Sequence, residues 1–238
     1  MGMTEGVPIN LRPAPHQSFA GHKVIVTQAN DFMGPAIVSA FQSAGASITA
    51  DTRDLRLPDA SDALIKEAGH VDILIANLML RNPRKSLVDT TDELWIEQFD
   101  AMVHPLHRLV RTVLPQMMGR RAGKIVVIGS ANALRGTAPR AAYSAARGAQ
   151  LSYVRSAGFE AAAYNVQINA IAQNFVANPT SYPDHERAKP EFAARLAEVP
   201  IGRVAEGWES AAMVLFLSGS ESNFFCGQVF PFAGGWAV

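Results

Sequence analysis

Short apolar runs alternate along the chain with segments whose apolar residues recur at helical spacing. The runs predict strands at 23–27, 46–51, 71–77, 124–129, 166–171 and 227–232. The helical spacing predicts helices at 34–44, 61–68, 91–118, 140–164 and 208–218. Strands that read as continuous apolar runs and are joined by helices belong to parallel sheets. The sequence therefore predicts an α/β protein, a doubly wound parallel sheet with helices on both faces.

The composition is that of an ordinary globular protein with one core. The chain has 238 residues, of which 48% are hydrophobic and 18% are charged, and this length suits a single domain. We predict that domain at 21–238, preceded by a flexible arm at 1–20. The arm contains Pro13 and Pro15 and lacks the continuous apolar stretch of a secretory signal peptide, so we expect a cytoplasmic protein.

Charge and cysteine content argue against several classes of partner. Lys plus Arg and Asp plus Glu number 21 each, so no basic excess predicts binding to nucleic acid or to an anionic membrane. The single cysteine, Cys226, cannot form an internal disulfide, and no Cys/His cluster occurs at metal-ligand spacing. We therefore expect no nucleic-acid partner, no membrane partner and no metal.

Two connections depart from the usual pattern of a doubly wound sheet. The segment 52–62 leads from the second strand directly into the next helix and is too short for another crossover helix. The segment 173–190 is instead a long irregular stretch with several turn-prone breaks. Long loops of this kind can lie over the carboxyl edge of a parallel sheet, where ligands bind. We therefore predict that the second segment contributes to a functional site.

Three polar residues follow the end of the fourth strand. Ser130 ends that strand, twelve residues separate it from Tyr143, and three more separate Tyr143 from Arg147. Tyr143 and Arg147 share one helix face, and an arginine there favours the tyrosinate over the phenol, whose ordinary pKa is about 10. With a donor hydroxyl from Ser130, this arrangement predicts a catalytic base that works near neutral pH. Spacing alone equally allows Tyr143 to pack on the sheet while Arg147 extends to solvent.

The stretch 27-TQANDFMG-34 lies between the first strand and the first helix. A strand, a tight turn and a helix in this order typically form a phosphate-binding loop, which needs glycines. Gln28 and Phe32 stand where glycines are expected, whereas Gly34 is kept. Because side chains at the first two positions exclude a pyrophosphate sterically, the turn predicts a protein without a dinucleotide cofactor.

The set of Ser130, Tyr143 and a basic residue at Arg147 resembles the short-chain dehydrogenase/reductase family. The second strand, 44-AGASITAD-51, and the ending 227-GQVFPFAGG-235 are also similar to that family. The resemblance covers nearly all of the predicted domain. It implies a Rossmann-like fold of the short-chain dehydrogenase/reductase type.

The departures from that family are systematic. Its turn reads Thr-Gly-x-x-x-Gly-x-Gly, and two of the three glycines are replaced here. Its Asn-Asn-Ala-Gly after the third strand is 76-ANLML-80, its Pro-Gly is replaced by 172-AQNFV-176, and its lysine after the tyrosine is Arg147. In dehydrogenases of the family that lysine holds the nicotinamide ribose, so its replacement also argues against a nicotinamide cofactor.

These departures resemble one branch of the family, the halohydrin dehalogenases. Their turn reads Thr, four residues, Phe or Tyr, one residue, Gly, which matches Thr27, Phe32 and Gly34. Their active-site triplet is Ser, Tyr and Arg at the spacing found here. The stretch 103-VHPLHRLVRTVLPQ-116 is most similar to the B-type members. The resemblance implies an enzyme that expels halide from vicinal haloalcohols to give epoxides without any cofactor.

The resemblance also implies roles for individual residues. Tyr143, helped by Arg147, takes the hydroxyl proton of the haloalcohol while Ser130 holds the same oxygen. The residues expected to bind the halide are Phe32, Gln173, Asn174, Phe175 and Val176. The expected partners are haloalcohols, epoxides, halide and small anions such as azide, cyanide or nitrite, which open epoxides in the reverse direction. The expected assembly is a homotetramer built by pairing of the two long helices.

Several alternatives stay open. Asp51, 24 residues after Thr27, falls where an acid binds an adenosine ribose in an NAD(P)-dependent oxidoreductase, although it can also be a structural residue at a strand end. Phe32 can instead be a core plug in a defunct nucleotide site, and Gln173 and Asn174 can simply satisfy buried backbone groups. A non-catalytic member of the family is the remaining alternative.

Overall fold

Six parallel strands form the central sheet of the protein, which is described by a computed structural model over residues 18–81 and 84–238. The strands are β1 (Lys23–Val26), β2 (Ser47–Ala50), β3 (Ile73–Ala76), β4 (Gly123–Ser130), β5 (Val166–Gln173) and β6 (Val229–Phe232). Their order across the sheet is β2-β1-β3-β4-β5-β6, and every neighbouring pair is parallel. The predicted fold class and the six predicted strands are therefore confirmed.

Helices cover both faces of this sheet. Among the described residues the α-helices are α1 (Gly34–Ser43), α2 (Ala60–Ala68), α3 (Asp92–Met102), α4 (His104–Arg120), α5 (Ala141–Ala162), α6 (Asp184–Arg187), α7 (Pro190–Leu196) and α8 (Gly207–Ser218). Residues of α2, α4 and α5 pack into one buried cluster, and residues of α1 and α8 pack into another. Successive side chains of a strand point to opposite faces of the sheet. Ile25 therefore packs in the first cluster, whereas Val24 and Val26 pack in the second.

The single helix predicted at 91–118 is wrong, because the structure divides it into α3 and α4 at Val103. Pro105 lies in the first turn of α4 and has no N–H group to donate to a preceding carbonyl. The hydroxyl oxygen of Thr91 caps the other end of α3 by accepting a hydrogen bond from the N–H of Leu94 at 3.3 Å. The other predicted helices agree with the structure to within one or two residues at each end.

The two unusual connections differ in how well they were predicted. After β2 the chain reaches α2 without another strand or helix, as the short segment predicts. The segment 173–190 was predicted to be irregular throughout. That predicted stretch is too long, because β5 extends to Gln173 and α6 occupies Asp184–Arg187. The irregular part that follows β5 is therefore 174–183, and it lies directly at the carboxyl edge of the sheet.

The predicted arm at 1–20 lies largely outside the described residues, which begin at 18. The described end of the arm belongs to the folded domain, which corrects the predicted boundary at 21. Phe19 is 2% exposed, and its ring lies edge-on against Phe41 with centroids 5.1 Å apart. The N–H of Phe19 also donates a hydrogen bond to the carbonyl of Ala44 at 2.7 Å. Burial of this aromatic ring makes Phe19 part of the core and anchors the exposed neighbours Ser18 and Ala20 to the domain.

The direction of travel across the sheet reverses at β1, which has β2 on one side and β3 on the other. In open parallel sheets, ligands bind outside the carboxyl ends of the strands at such a reversal. The turn after β1, the residues after β3 and the ends of β4 and β5 all lie at this edge. Ser130 and Gln173 are paired neighbours in the register of β4 and β5. The topology therefore brings residues from distant parts of the chain to one site.

A buried lysine lies at the opposite end of β4. Lys124 is 8% exposed, and its Nζ donates hydrogen bonds to Asn223 Oδ1 at 2.7 Å and to Ser222 Oγ at 3.3 Å. Burial lowers the pKa of Lys124 from its ordinary value of 10.5 to about 8. The unfolded chain therefore binds this proton more tightly than the folded protein does.

We expect Lys124→Met to remove a specific pH dependence of stability. Between about pH 8 and pH 10.5 the side chain of Lys124 keeps its proton in the unfolded state but has released it in the folded state. The contribution of Lys124 to the free energy of unfolding therefore rises with pH across this window. Below pH 8 the buried charge destabilises the fold, and the variant should be the more stable protein. Urea unfolding at several pH values measures both effects.

The matched control is Lys66→Met, which replaces an exposed lysine on α2. It should preserve the pH dependence of the unmodified protein. The inferred role of burial would be contradicted if the free energy of unfolding of Lys124→Met changed between pH 7 and pH 10.5 in the same way as that of the unmodified protein.

Candidate active site

A cavity of about 250 Å³ opens at the carboxyl ends of the strands. Its walls include all but one of the residues predicted to form the site, namely Ser130, Tyr143, Phe32, Gln173, Asn174, Phe175 and Val176. The exception is Arg147, which is fully buried and lies behind the cavity wall. The structure therefore brings the predicted residues together and places Arg147 where it can act on the cavity only through its neighbours.

Ser130 is the last residue of β4 and is 5% exposed. Its Oγ accepts a hydrogen bond from the N–H of Asn132 at 3.2 Å. Because the hydroxyl oxygen is used as an acceptor there, its hydrogen can be donated to another group. Ser130 and Tyr143 line the same cavity, and the Ser130 hydroxyl acts to lower the pKa of the Tyr143 phenol. The serine is thus held as a donor at the oxygen where proton transfer would occur.

Tyr143 lies in the first turn of α5 and is 7% exposed. Burial alone raises the pKa of its phenol, because a phenolate is poorly solvated in the protein interior. The positive charge of Arg147, the nearby hydroxyl of Ser130 and the charge of Arg140 act in the opposite direction and hold the pKa of Tyr143 below its ordinary value. The site therefore favours a phenolate at lower pH than water does, as the sequence predicts.

Arg147 is anchored one turn further along α5. Its Nη1 donates hydrogen bonds to the carbonyls of Leu78 and Ile128 and to Gln150 Oε1, each at 2.9 Å. Its Nε and Nη2 atoms are buried and find no hydrogen-bond partner in the described parts of the chain. The guanidinium carbon lies 5.2 Å from the ring centroid of Tyr143. The alternative in which Arg147 extends to solvent is wrong, and its positive charge faces the tyrosine.

The turn after β1 keeps a glycine-like backbone although it carries side chains. Gln28 and Phe32 have φ values of 44° and 50°, in the left-handed region that costs a residue with a side chain about 1 kcal/mol. The N–H of Phe32 donates to Thr180 Oγ1 at 2.8 Å, so the loop after β5 holds this residue in place. Gly34 remains glycine because a β-carbon there would lie 2.3 Å from the carbonyl oxygen of Gln28.

Gln28 joins the turn to the residues that follow β3. Its Nε2 donates to the carbonyl of Met79 at 3.0 Å, and its Oε1 accepts from the N–H of Met79 at 2.8 Å. Asn77 Nδ2 adds hydrogen bonds to the carbonyls of Gln28 and Asp31, both at 3.1 Å. The sequence indicated only that a glycine was missing at position 28, because the pairing with Met79 depends on a contact 51 residues away.

The candidate ribose-binding acid is also engaged within the protein. Asp51 is 5% exposed, and its Oδ1 lies 2.5 Å from Arg53 Nε. Arg53 pairs with Glu67 as well, at 2.8 Å. Dinucleotides bind to this fold across the crevice that Gln28 bridges, with an acid free to bind the ribose. Gln28 and the ion pair of Asp51 thus engage two of the groups that a dinucleotide would contact, whereas Asp51 Oδ2 is buried without a hydrogen-bond partner among the described residues.

The wall opposite Tyr143 offers hydrogen-bond donors. Asn174 Nδ2 is buried without a partner among the described residues. The backbone N–H groups of Phe175 and Val176 also donate no hydrogen bond within that part of the chain. Gln173 Oε1 accepts from Ser210 Oγ at 2.9 Å, which leaves the amide NH₂ of Gln173 as the donor. Such donors in a half-closed cavity can bind a small anion.

Sequence reasoning missed a group of cavity residues. They are four arginines and one tyrosine, namely Arg81, Arg84, Arg140, Arg195 and Tyr182. Only Arg140 had a local signal, since it precedes Tyr143 by three residues and so shares its side of the helix terminus. The others reach the cavity from separate loops and helices, and no spacing in the sequence predicts that.

Over residues 18–81 and 84–238, no three side chains of His, Cys, Asp or Glu lie together in a way that could hold a metal ion. Within the same ranges, no helix combines the length and the apolar character needed to cross a membrane.

The parallel sheet with a serine and a tyrosine at its carboxyl edge defines the class of short-chain dehydrogenases/reductases. Residues 14–237 match the family described as Enoyl-(Acyl carrier protein) reductase, and the chain belongs to this family within that class. Among curated relatives, a 3-oxoacyl-[acyl-carrier-protein] reductase of Vibrio harveyi is 27% identical over 216 residues, which cover 90% of this chain and 87% of the relative.

Solved structures with the same fold include proteins of a different activity. A protein described as a dehalogenation enzyme is 28% identical, with a TM-score of 0.84 over 92% of this chain and 99% of its own. A halohydrin dehalogenase bound to ethyl (2S)-oxiran-2-ylacetate is 24% identical, with a TM-score of 0.81 over 91% of this chain and 97% of its own. Because reductases and dehalogenases both occur among the similar proteins, function has to be argued from the site.

Proposed function

We propose that the protein is a halohydrin dehalogenase, which converts vicinal haloalcohols into epoxides without a cofactor. One observation carries the proposal. The buried charge of Arg147 faces Tyr143 from behind the cavity wall, and Gln28 and Phe32 replace two glycines of the turn after β1. This arrangement provides a base and an oxygen-binding donor for proton transfer, and it places side chains where a pyrophosphate would need glycines.

The phenolate of Tyr143 accepts the hydroxyl proton of the haloalcohol. Ser130 donates a hydrogen bond to the same substrate oxygen and so keeps it beside the base. The alkoxide oxygen then forms a bond to the neighbouring carbon while the carbon–halogen bond breaks, and the halide leaves with the bonding electrons. This reaction needs no oxidant, no reductant and no covalent enzyme intermediate.

The leaving halide would be received by the wall around Phe32 and Asn174. The unpartnered amide of Asn174, the N–H groups of Phe175 and Val176 and the positive ring edge of Phe32 all stabilise an anion. In the reverse direction the same wall would hold small anions such as azide, cyanide or nitrite for attack on an epoxide. The 28% identity to a protein described as a dehalogenation enzyme supports this assignment.

An NAD(P)-dependent oxidoreductase is the second candidate function. The curated relatives favour it, since the Vibrio harveyi protein is a 3-oxoacyl reductase, and such enzymes also use a serine and a tyrosine. Against it stand the pairing of Gln28 with Met79 and the ion pair between Asp51 and Arg53. Both observations concern the groups that a dinucleotide would have to contact.

The two candidates predict opposite results in two assays. With 1,3-dichloro-2-propanol and no cofactor, we expect the purified protein to release chloride together with an equal amount of epoxide. With NADH or NADPH, we expect no change in melting temperature and no quenching of fluorescence, because only a ligand that binds the folded state raises its stability. Micromolar binding of either dinucleotide, with no release of chloride, would support the oxidoreductase instead.

We also propose a homotetramer, as the family resemblance predicts, and a cytoplasmic location. Trp95 and Ile96 on α3 and Phe159 on α5 are exposed apolar side chains, and the two helices pack against each other. This pair of helices therefore presents an apolar surface that helix pairing between subunits would cover. Analytical ultracentrifugation of the purified protein tests the proposed assembly.

A further inference from the structure

Positive charge is concentrated in the cavity of a protein whose formal net charge is zero. Four arginines line the cavity, whereas the one carboxylate among its described lining residues, Glu186, is already paired with Lys189 at 2.6 Å. Arg140 and Arg195 are half-buried there. The cavity thus has an excess of positive charge that its own wall does not neutralise.

Arg84, Arg140 and Arg195 form the centre of this excess. All three also line an adjoining cavity of about 90 Å³, and burial together with the charges of Arg195 and Arg140 lowers the pKa of Arg84. None of the three forms an ion pair with a carboxylate of residues 18–81 or 84–238. Like charges that are gathered without a counter-charge cost free energy in the unliganded protein. Such a cost is typical of a site that binds an anion.

Aromatic rings hold two of these arginines without neutralising them. The guanidinium carbon of Arg195 lies 5.6 Å from the ring centroid of Phe175 and 5.8 Å from that of Tyr182. The two rings stack on each other with centroids 5.5 Å apart. The guanidinium carbon of Arg140 lies 5.6 Å from the ring centroid of Tyr143. Contacts with ring faces orient a guanidinium and leave its N–H groups available to a ligand.

We propose that Arg84, Arg140 and Arg195 bind an anionic group of the substrate. The proposal rests on the proposed function and narrows it to haloalcohols and epoxides that carry a carboxylate or a phosphate monoester. A guanidinium presents parallel N–H groups that match either anion. Because Arg140 lies against the ring of Tyr143, the anionic group and the reacting hydroxyl belong to one small molecule.

A suitable probe is 4-chloro-3-hydroxybutanoate. Its hydroxyl proton passes to Tyr143, the oxygen bonds to the terminal carbon and chloride leaves, which gives 3,4-epoxybutanoate with no other reactant. The matched neutral probe is 4-chloro-3-hydroxybutanamide, which has nearly the same shape. The phosphate probe is 3-chloro-2-hydroxypropyl phosphate, and its neutral counterpart is 3-chloro-1,2-propanediol. Comparison of the two anionic probes identifies which anion the cluster accepts.

We expect kcat/KM for at least one anionic probe to exceed that of its neutral counterpart by about tenfold or more at constant ionic strength. Arg140→Gln and Arg195→Gln should each bring the ratio of these two kcat/KM values, anionic over neutral, closer to one. The control Arg155→Gln, which replaces an exposed arginine on α5, should keep it. Ratios near one for both pairs in the unmodified protein would overturn the proposal and leave the dehalogenase assignment standing.

A binding measurement separates failure of this proposal from failure of the proposed function. Calorimetric titration with 3-hydroxybutanoate or glycerol 1-phosphate, which cannot lose halide, should show binding that Arg195→Gln weakens about tenfold. Binding of this kind without chloride release from any probe would support the anion site and reject the dehalogenase. Absence of binding by either anion, together with ratios near one, would reject the anion site.

Discussion

Tyr143→Phe is expected to reduce chloride release from a vicinal chlorohydrin by about 10³-fold. The substitution removes the phenolic oxygen that is proposed to accept the substrate proton beside Ser130, while the aromatic ring that packs in the cavity wall is retained. The loss should appear in kcat/KM at every pH, because phenylalanine cannot ionise. Chloride release under saturating and subsaturating substrate measures it directly.

The matched control is Tyr164→Phe, which makes the same change at an exposed tyrosine beyond the end of α5. Its activity should equal that of the unmodified protein. Thermal melts of both variants should be close to that of the unmodified protein, since neither change opens a cavity. If Tyr143→Phe retains substantial activity, another group is the base and the proposed mechanism is wrong.

Arg147→Met is expected to move the dependence of kcat/KM on pH toward higher pH. The phenolate of Tyr143 is the active form, so activity rises as the pH rises through the pKa of this phenol. Arg147 holds that pKa below its ordinary value against the effect of burial. Without the guanidinium, burial raises the pKa, and the fraction of phenolate at neutral pH falls. We expect a loss of about 10²-fold at pH 7 that shrinks as the pH is raised.

Two further variants separate this electrostatic role from a packing role. Arg147→Lys restores a positive charge and should recover part of the activity, although it loses the hydrogen bonds of Nη1 to Leu78, Ile128 and Gln150. Arg155→Met changes an exposed arginine of the same helix and should leave the pH profile where it is. A pH profile of Arg147→Met that coincides with that of the unmodified protein would mean that Arg147 only packs.

In the proposed dehalogenase, the turn after β1 would be the element that replaces dinucleotide binding. Gln28 and Phe32 both have the left-handed backbone conformation that glycine adopts most easily. The side chain of Gln28 then closes the crevice toward Met79, and that of Phe32 forms a wall of the cavity. Two substitutions can thus exchange the role of the turn without altering the sheet.

Much of the fold was predictable because it depends on local patterns. Apolar runs predicted the strands, and apolar spacing predicted most helices, since burial on one or both faces imposes these periods on any sequence. The helix break at Val103 was also accessible in principle, because Pro105 removes a hydrogen-bond donor whatever the surroundings. The burial of Phe19 was not, because it depends on contact with Phe41, 22 residues later and in another element.

The sequence by itself determined the fold class and the grouping of Ser130, Tyr143 and Arg147, because strand ends and helix faces bring residues at such spacings together. Only the tertiary structure decided that Arg147 is buried behind the tyrosine, that Gln28 binds Met79, and that arginines from three separate segments meet in one cavity. The physical reason is that charge and solvation at a point depend on every group within a few ångströms. Residues far apart in the chain supply most of those groups.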